Sequence, residues 1–195
     1  MNKFLFTIAI LMATFSFDLK AGNDYQFAPS TQHPFGKINT EAAEQLKDYE
    51  KLIGISHCKS SKRNKVQEWD AEIDMIWKFE YILNGLAVQD TTLKSDGTHS
   101  GSIRLYDKEN QHWQIHYFSS VVNSKAQNLQ MWTGGKKGSD LVYYRENKAP
   151  NGMDGFYRLT FKDISDDGFN WAGEWVDFKE TMSYPTWKIS CKKQK

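Results

Sequence analysis

The stretch WDAEIDMIWKFEY, Trp69 to Tyr81, decides the fold. Its odd positions read Trp69, Ala71, Ile73, Met75, Trp77, Phe79 and Tyr81. Its even positions read Asp70, Glu72, Asp74, Ile76, Lys78 and Glu80. Successive strand side chains point to opposite faces, so this period of two predicts a long strand with one apolar and one largely charged face. Turn signals then recur at hairpin intervals: NG at Asn84, SDG at Ser95, DKEN at Asp107, GGKKG at Gly134, PNG at Pro150, DDG at Asp166 and DFKE at Asp177. They delimit about ten strands, and an antiparallel up-and-down barrel is the simplest way to leave such a meander without edges. Pro185, in the last strand, must then stand where no ladder donor is needed.

Upstream the pattern is different. NTEAAEQLKDYEKLIG, Asn39 to Gly54, predicts the one helix. Asn39 or Thr40 can cap it, Glu41 and Glu44 suit its positive end, and Gly54 suits its end. Its apolar stripe, Ala42, Leu46, Tyr49 and Leu52 or Ile53, suits a short helix lying against a barrel mouth. Residues 23–38 hold two prolines, a glycine and no periodicity, and read as an extended arm, with the barrel domain over 39–195. Residues 1–22 have the layout of a secretory signal. Lys3 is followed by an apolar run, Phe4 to Phe17, too short for a bilayer span, with a cut expected after Ala21 or Gly22. No cysteine stands near that point, which argues against a lipid anchor.

Cleavage there would leave 23 basic and 23 acidic residues, a balance that gives no electrostatic reason to expect nucleic acid or an anionic membrane as partner. No later apolar run has spanning length, so no membrane span is expected. Aromatic residues make up 14% of the chain, including seven Trp. Such large rigid side chains favour strands and can line wide cavities. Cys58 and Cys191 are the only cysteines, placed at the first and last strands, which become neighbours if the barrel closes. In an oxidising compartment they read first as a disulfide, otherwise as two buried thiols.

The residues after Gly54 resemble a bacterial family of exported or cytosolic lipocalin-like proteins of unknown function, loosely of the calycin group. The likeness is carried by WKFEYILNGLAVQD from Trp77, GSIRLYD from Gly101, HWQIHYFSS from His112, and FYRLTFKDIS followed by GFNWAGEW. It implies a barrel with a small-molecule cavity and no particular activity, because a fold does not determine a function. The early G-x-W of lipocalins is absent, Gly54 being followed by Ile55 and Ser56, so lipocalin ligand habits do not carry over.

The polar faces of the strands admit two readings. In one, the aromatic faces fill the lumen and the charges stay in water. In the other, a ten-strand lumen too wide to fill holds Glu80, Arg104, His116, Arg158 and Glu174 around a ligand, between walls supplied by Trp77, Trp113 and Trp171. Arg104 and Arg158 would then orient a polar or anionic end. Other chemistries find less support. His112 and His116, four residues apart on a strand, are roughly 13 Å apart and cannot share one metal. Neither His99 nor His116 is singled out as a haem ligand, and no cofactor is expected. Ser119 and Ser120 lack a G-x-S-x-G elbow. Asp90, Asp107 and Asp154 suit turns and strand ends. The expectation is an exported small-molecule binding protein. The alternatives are an enzyme using inward-facing Glu or His groups on a sugar or lipid fragment, with Glu80 and Glu174 as a candidate acid and base, and an interaction module with a packed lumen.

Overall fold

A computed structural model describes residues 25–121 and 129–195; the expected signal segment, residues 1–22, lies outside the described residues. Ten strands follow one another: β1 (Gly54–Lys62), β2 (Ile73–Ile82), β3 (Ala87–Lys94), β4 (His99–Asp107), β5 (His112–Ser119), β6 (Gln130–Lys137), β7 (Asp140–Lys148), β8 (Asp154–Lys162), β9 (Gly168–Val176) and β10 (Ser183–Lys193). Each pairs antiparallel with the next, and β1 pairs with β10, so the sheet closes into an up-and-down barrel. Closure pairs the polar edges that an open sheet would expose.

Register decides which faces turn inward. Met75, Trp77, Phe79 and Tyr81 of β2 are buried in the lumen. Cross-strand partners share a face. Phe79 pairs with Asp90, Asp90 with Ser102, and Ser102 with Tyr117, so the inward set carries the polar face of β3 and β4 with it. Ser100, Ser102 and Arg104 are therefore buried, while Leu105 on the opposite face is exposed. In β8 and β9 the same rule turns Leu159, Phe161, Phe169 and Trp171 inward.

One end of the barrel is plugged, by a 3-10 turn over Glu44–Tyr49 and not by the longer α-helix that the sequence suggests. Asn39 Oδ1 accepts from the Glu41 backbone N–H, but Ala43 is extended and no side chain caps the turn. The buried residues Leu46, Tyr49 and Leu52 recur every three positions. That spacing stacks side chains on one face at three residues per turn, so packing onto the barrel end favours the tighter form. Tyr49 meets Trp113 edge-on at 4.8 Å, and above them Trp77, Phe79, Phe161 and Phe169 form an aromatic layer with centroids 5.4 to 6.1 Å apart.

Cys58 and Cys191 are register partners on β1 and β10 and form a disulfide, with a Cα separation of 4.1 Å, across the pair that closes the barrel. Such a bond suits an oxidising compartment. Pro185 pairs with Glu174 and Trp187 with Gly173, which leaves Thr186 as the extra residue of a bulge and takes the proline out of the regular ladder. Among the described residues no helix is long and apolar enough to cross a membrane.

Candidate functional site

The half of the lumen away from the 3-10 turn is not filled. A cavity of about 330 Å³ reaches from Arg104 and Phe161 up to Gln130 and Asn147 at the rim. Its volume is within the range of small-molecule sites. Two walls of different character face each other. One is polar: Asp90 and Thr92 from β3, with Ser100, Ser102 and Arg104 from β4. The other is largely aromatic, with Trp132 from β6, Tyr157 and Phe161 from β8, Trp171 from β9 and Trp187 from β10.

The polar wall is organised around Asp90. Its Oδ1 is ion-paired with Arg104 Nη1, its Oδ2 accepts from Trp77 Nε1 at 2.6 Å, and both charged side chains are only 3% exposed. Thr92 and Ser100 share a hydroxyl hydrogen bond of 2.6 Å beside them. The Arg104 guanidinium carbon is 5.1 Å from the ring centre of Phe79, 5.3 Å from that of Tyr49 and 5.8 Å from that of Phe161. Burial disfavours the Arg104 cation, but Asp90 and the tyrosine oxygens outweigh it and leave its pKa raised. Below it the hydroxyls of Tyr49 and Tyr143 are 2.5 Å apart. Burial raises both phenols, Tyr49 to about 12 despite the opposing Arg104 charge, so both are protonated donors at neutral pH.

A second arginine belongs to the same lumen. Arg145 of β7 pairs with Tyr157 of β8. The β6–β7 register pairs Gly134 with Tyr143 and Thr133 with Tyr144, the chain neighbours of Trp132 and Arg145. The Arg145 guanidinium carbon lies 4.4 Å from the Trp132 ring centre. Among the described residues no carboxylate forms an ion pair with Arg145, and no protein acceptor meets its buried Nε or the buried Nε1 of Trp132. Burial lowers the pKa of Arg145 from its ordinary value, with Tyr157 opposing the shift.

Of the eight expected ligand-binding residues, Trp77, Arg104 and Trp171 line this cavity. Trp113 faces inward but is fully buried at the closed end, against Tyr49 and Tyr106. Glu80, His116, Arg158 and Glu174 take the opposite parity and lie on the outer face, so the expected charged cluster in the lumen is not assembled. Glu80 pairs there with Lys78 at 2.8 Å. Arg158 reaches Glu174 at 2.9 Å and also Glu180, which ties the β9–β10 loop to the outside of β8. Glu80 and Glu174 therefore do not converge as an acid and base. Strand parity also places His57, His99, His112 and His116 outside, and His33 lies exposed in the arm, so none of the five histidines faces the lumen. Among the described residues no group of three or more His, Cys, Asp or Glu is arranged to hold a metal.

Asp90 is the main residue that sequence reasoning misplaced: it stands in the middle of β3, not at a turn. Counting register from Phe79 across the NG turn would have put it inside. Trp132 and Arg145 were missed because MWTGGKK and LVYYREN carry no clean alternation, though the tight GS turn between the strands brings the two side chains together. No protein-family model matches the chain, and no curated protein matches it. The closed ten-strand antiparallel barrel is itself consistent with a lipocalin-like fold.

Proposed function

We propose that the protein is an exported binding protein that holds a small, partly apolar molecule with a polar or anionic end in the barrel lumen. One observation carries this reading: a cavity of about 330 Å³ with an aromatic wall on one side and a fixed polar wall on the other. A lumen evolved only for stability would be packed near crystal density, because empty space forfeits dispersion contacts. Here Trp171 and Trp187, 5.0 Å apart and edge-on, hold the aromatic wall open, and Asp90 fixes Arg104 and Trp77 in place. The cavity has room for the volume of about eleven liquid waters, which suits a compact ligand of one or two rings and not a long acyl chain. The barrel type is the one that the lipocalin-like resemblance implies. The Cys58–Cys191 disulfide and the signal-like residues 1–22 support export.

Native mass spectrometry of the protein secreted under oxidising conditions tests the proposal. The expected result is a co-purifying mass that is lost on denaturation, or, for an apo preparation, a rise in Tm with compact aromatic anions. A clean apo mass together with no thermal shift across aromatic, sugar and lipid panels would overturn it in favour of an interaction module.

A further inference from the structure

The geometry points to Arg145 and Trp132, not Arg104, as the subsite for the charged end of the ligand, and to a singly charged carboxylate on a flat apolar body as the ligand class. This rests on the lumen-binding reading above and specifies it. Both arginines line the cavity, but their electrostatic situations differ. Arg104 is neutralised by Asp90 and enclosed by three aromatic rings, so an anion arriving there would have to compete with a carboxylate already in place. Arg145 has no such partner among the described residues. A buried donor without an acceptor costs free energy, more so when it is charged. The Arg145 Nε and the Trp132 Nε1 are two such donors on one patch of wall, brought together by the stacking of guanidinium on indole; the Arg104 Nε also lacks an acceptor, but there the charge is already met by Asp90.

The nearby lysines Lys62 and Lys94 are not part of this cavity's lining. Lys62 and Lys94 stack on Trp187 at 3.9 and 4.9 Å, but they open into a separate crevice that also contains Asp70 and Asp96. Among the described residues that line the cavity, Asp90, Arg104 and Arg145 therefore leave one positive charge without a carboxylate. A planar guanidinium matches a carboxylate better than it matches a neutral amide or a hydroxyl. The neighbouring rings of Trp132 and Tyr157 offer flat apolar surface next to it.

Two isosteric probes test this, 2-naphthoate and its neutral amide 2-naphthamide, titrated against the full exported protein and followed by quenching of tryptophan fluorescence. The wild type should bind the carboxylate at least about tenfold more tightly than the amide. Arg145→Met should remove that preference while amide affinity stays within about twofold. Arg145→Lys, which keeps the charge without the planar fork, should fall between. Arg158→Ala, on the outer face, should change neither. Arg145→Met should also fold with an unchanged or higher Tm, since it removes an uncompensated cation; Arg145→Gln replaces it should the methionine variant fold poorly. If the carboxylate preference survives loss of Arg145, or is absent in the wild type while both probes bind, the subsite assignment falls and lumen binding stands. Tighter binding of 2-naphthyl phosphate than of 2-naphthoate would overturn the carboxylate class. If neither probe nor any panel ligand binds, lumen binding itself falls.

Discussion

Arg104 pairs through Ile115 with Trp132, on whose ring the Arg145 guanidinium stacks at 4.4 Å, and among the described residues only the first of these two arginines has a carboxylate partner. The two should therefore respond oppositely to truncation. Removing one member of a buried ion pair leaves the other charge without compensation, which typically costs about 3–5 kcal/mol. Arg104→Met strands Asp90 in this way and should lower stability by that order in urea titrations. Arg145→Met strands no carboxylate among the described residues. If Arg104→Met changed the unfolding midpoint no more than Arg145→Met does, the Asp90–Arg104 pair would not be the organising contact of the polar wall.

The outer-face network behaves differently again. Arg158 meets Glu174 and Glu180 where water reaches all three, with side chains 23%, 12% and 35% exposed. Screened pairs of this kind contribute about 0–1 kcal/mol. Arg158→Ala should cost no more than that, and its effect should appear as faster amide exchange in the loop Asp177–Met182, which Arg158 tethers through Glu180. A loss of several kcal/mol would mean that Arg158 carries packing that these contacts do not explain.

How far the molecule was legible in its sequence follows from these two arginines. Arg104 and Arg158 look alike in sequence: each follows an apolar or aromatic residue on an alternating strand. Alternation showed that each strand has two faces, the recurring turn signals pointed to about ten strands and a barrel, and the even pair of cysteines on its first and last strands pointed to the disulfide. It could not say which face is inside. That choice is made by register, Phe79 to Asp90 to Ser102, through turns whose length sets parity. Where the inner face is aromatic, as in β2, β8 and β9, composition and register agree, and Trp77 and Trp171 were found. In β3 and β4 the lumen takes the polar face, where Asp90 pairs with the Arg104 charge and accepts from Trp77, and a rule of apolar inside fails. The short helix at the barrel mouth is present but takes the 3-10 form, since its stripe fits 3.0 residues per turn as well as 3.6.

The disulfide carries its own prediction. Cys58 and Cys191 are 133 residues apart, and in the chain-entropy picture a loop of that length limits the unfolded ensemble by about 5 kcal/mol. Replacing both cysteines by serine, or reducing the native protein, should lower the unfolding midpoint accordingly. The tryptophan spectrum at rest should be preserved, since the ladder of β1 and β10 still closes the barrel. An unchanged midpoint would show that the unfolded chain is already compact.

Two glycines with the same φ separate strain from contact. Gly85 and Gly97 both have φ +79°, in the region that residues with a side chain adopt at a cost of about 1–2 kcal/mol. A Cβ on Gly97 would meet nothing within 4 Å, whereas one on Gly85 would lie 2.3 Å from the Lys37 carbonyl oxygen and 2.6 Å from the Asn39 nitrogen. Gly97→Ala should therefore cost only the backbone strain. Gly85→Ala should cost that and also displace the arm, whose Asn39 N–H donates to the Gly85 carbonyl at 3.1 Å. Limited proteolysis within residues 25–39 reads the difference. Equal protease resistance in the two variants would show that the arm is held elsewhere.

Alkaline pH should unfold the closed end of the barrel first. Tyr49 ionises near pH 10 in the unfolded chain and at about 12 in the fold, because burial penalises its phenolate. Below pH 10 the phenol is protonated in both states, and its full contribution to stability is present. Between 10 and 12 the unfolded state releases the proton and the native state keeps it, so stability falls as pH rises. Above 12 both states are ionised and the dependence ends. Tyr143, raised in the same direction, steepens the fall. Lys62 and Lys94, lowered by burial, oppose it, so the comparison that isolates Tyr49 is wild type against Tyr49→Phe. The variant should be less stable at pH 8, because the Tyr143 hydroxyl loses its partner at 2.5 Å, yet its Tm should decline less steeply from pH 9.5 to 11.5. Parallel curves would mean that the Tyr49 hydroxyl reaches water in the native state.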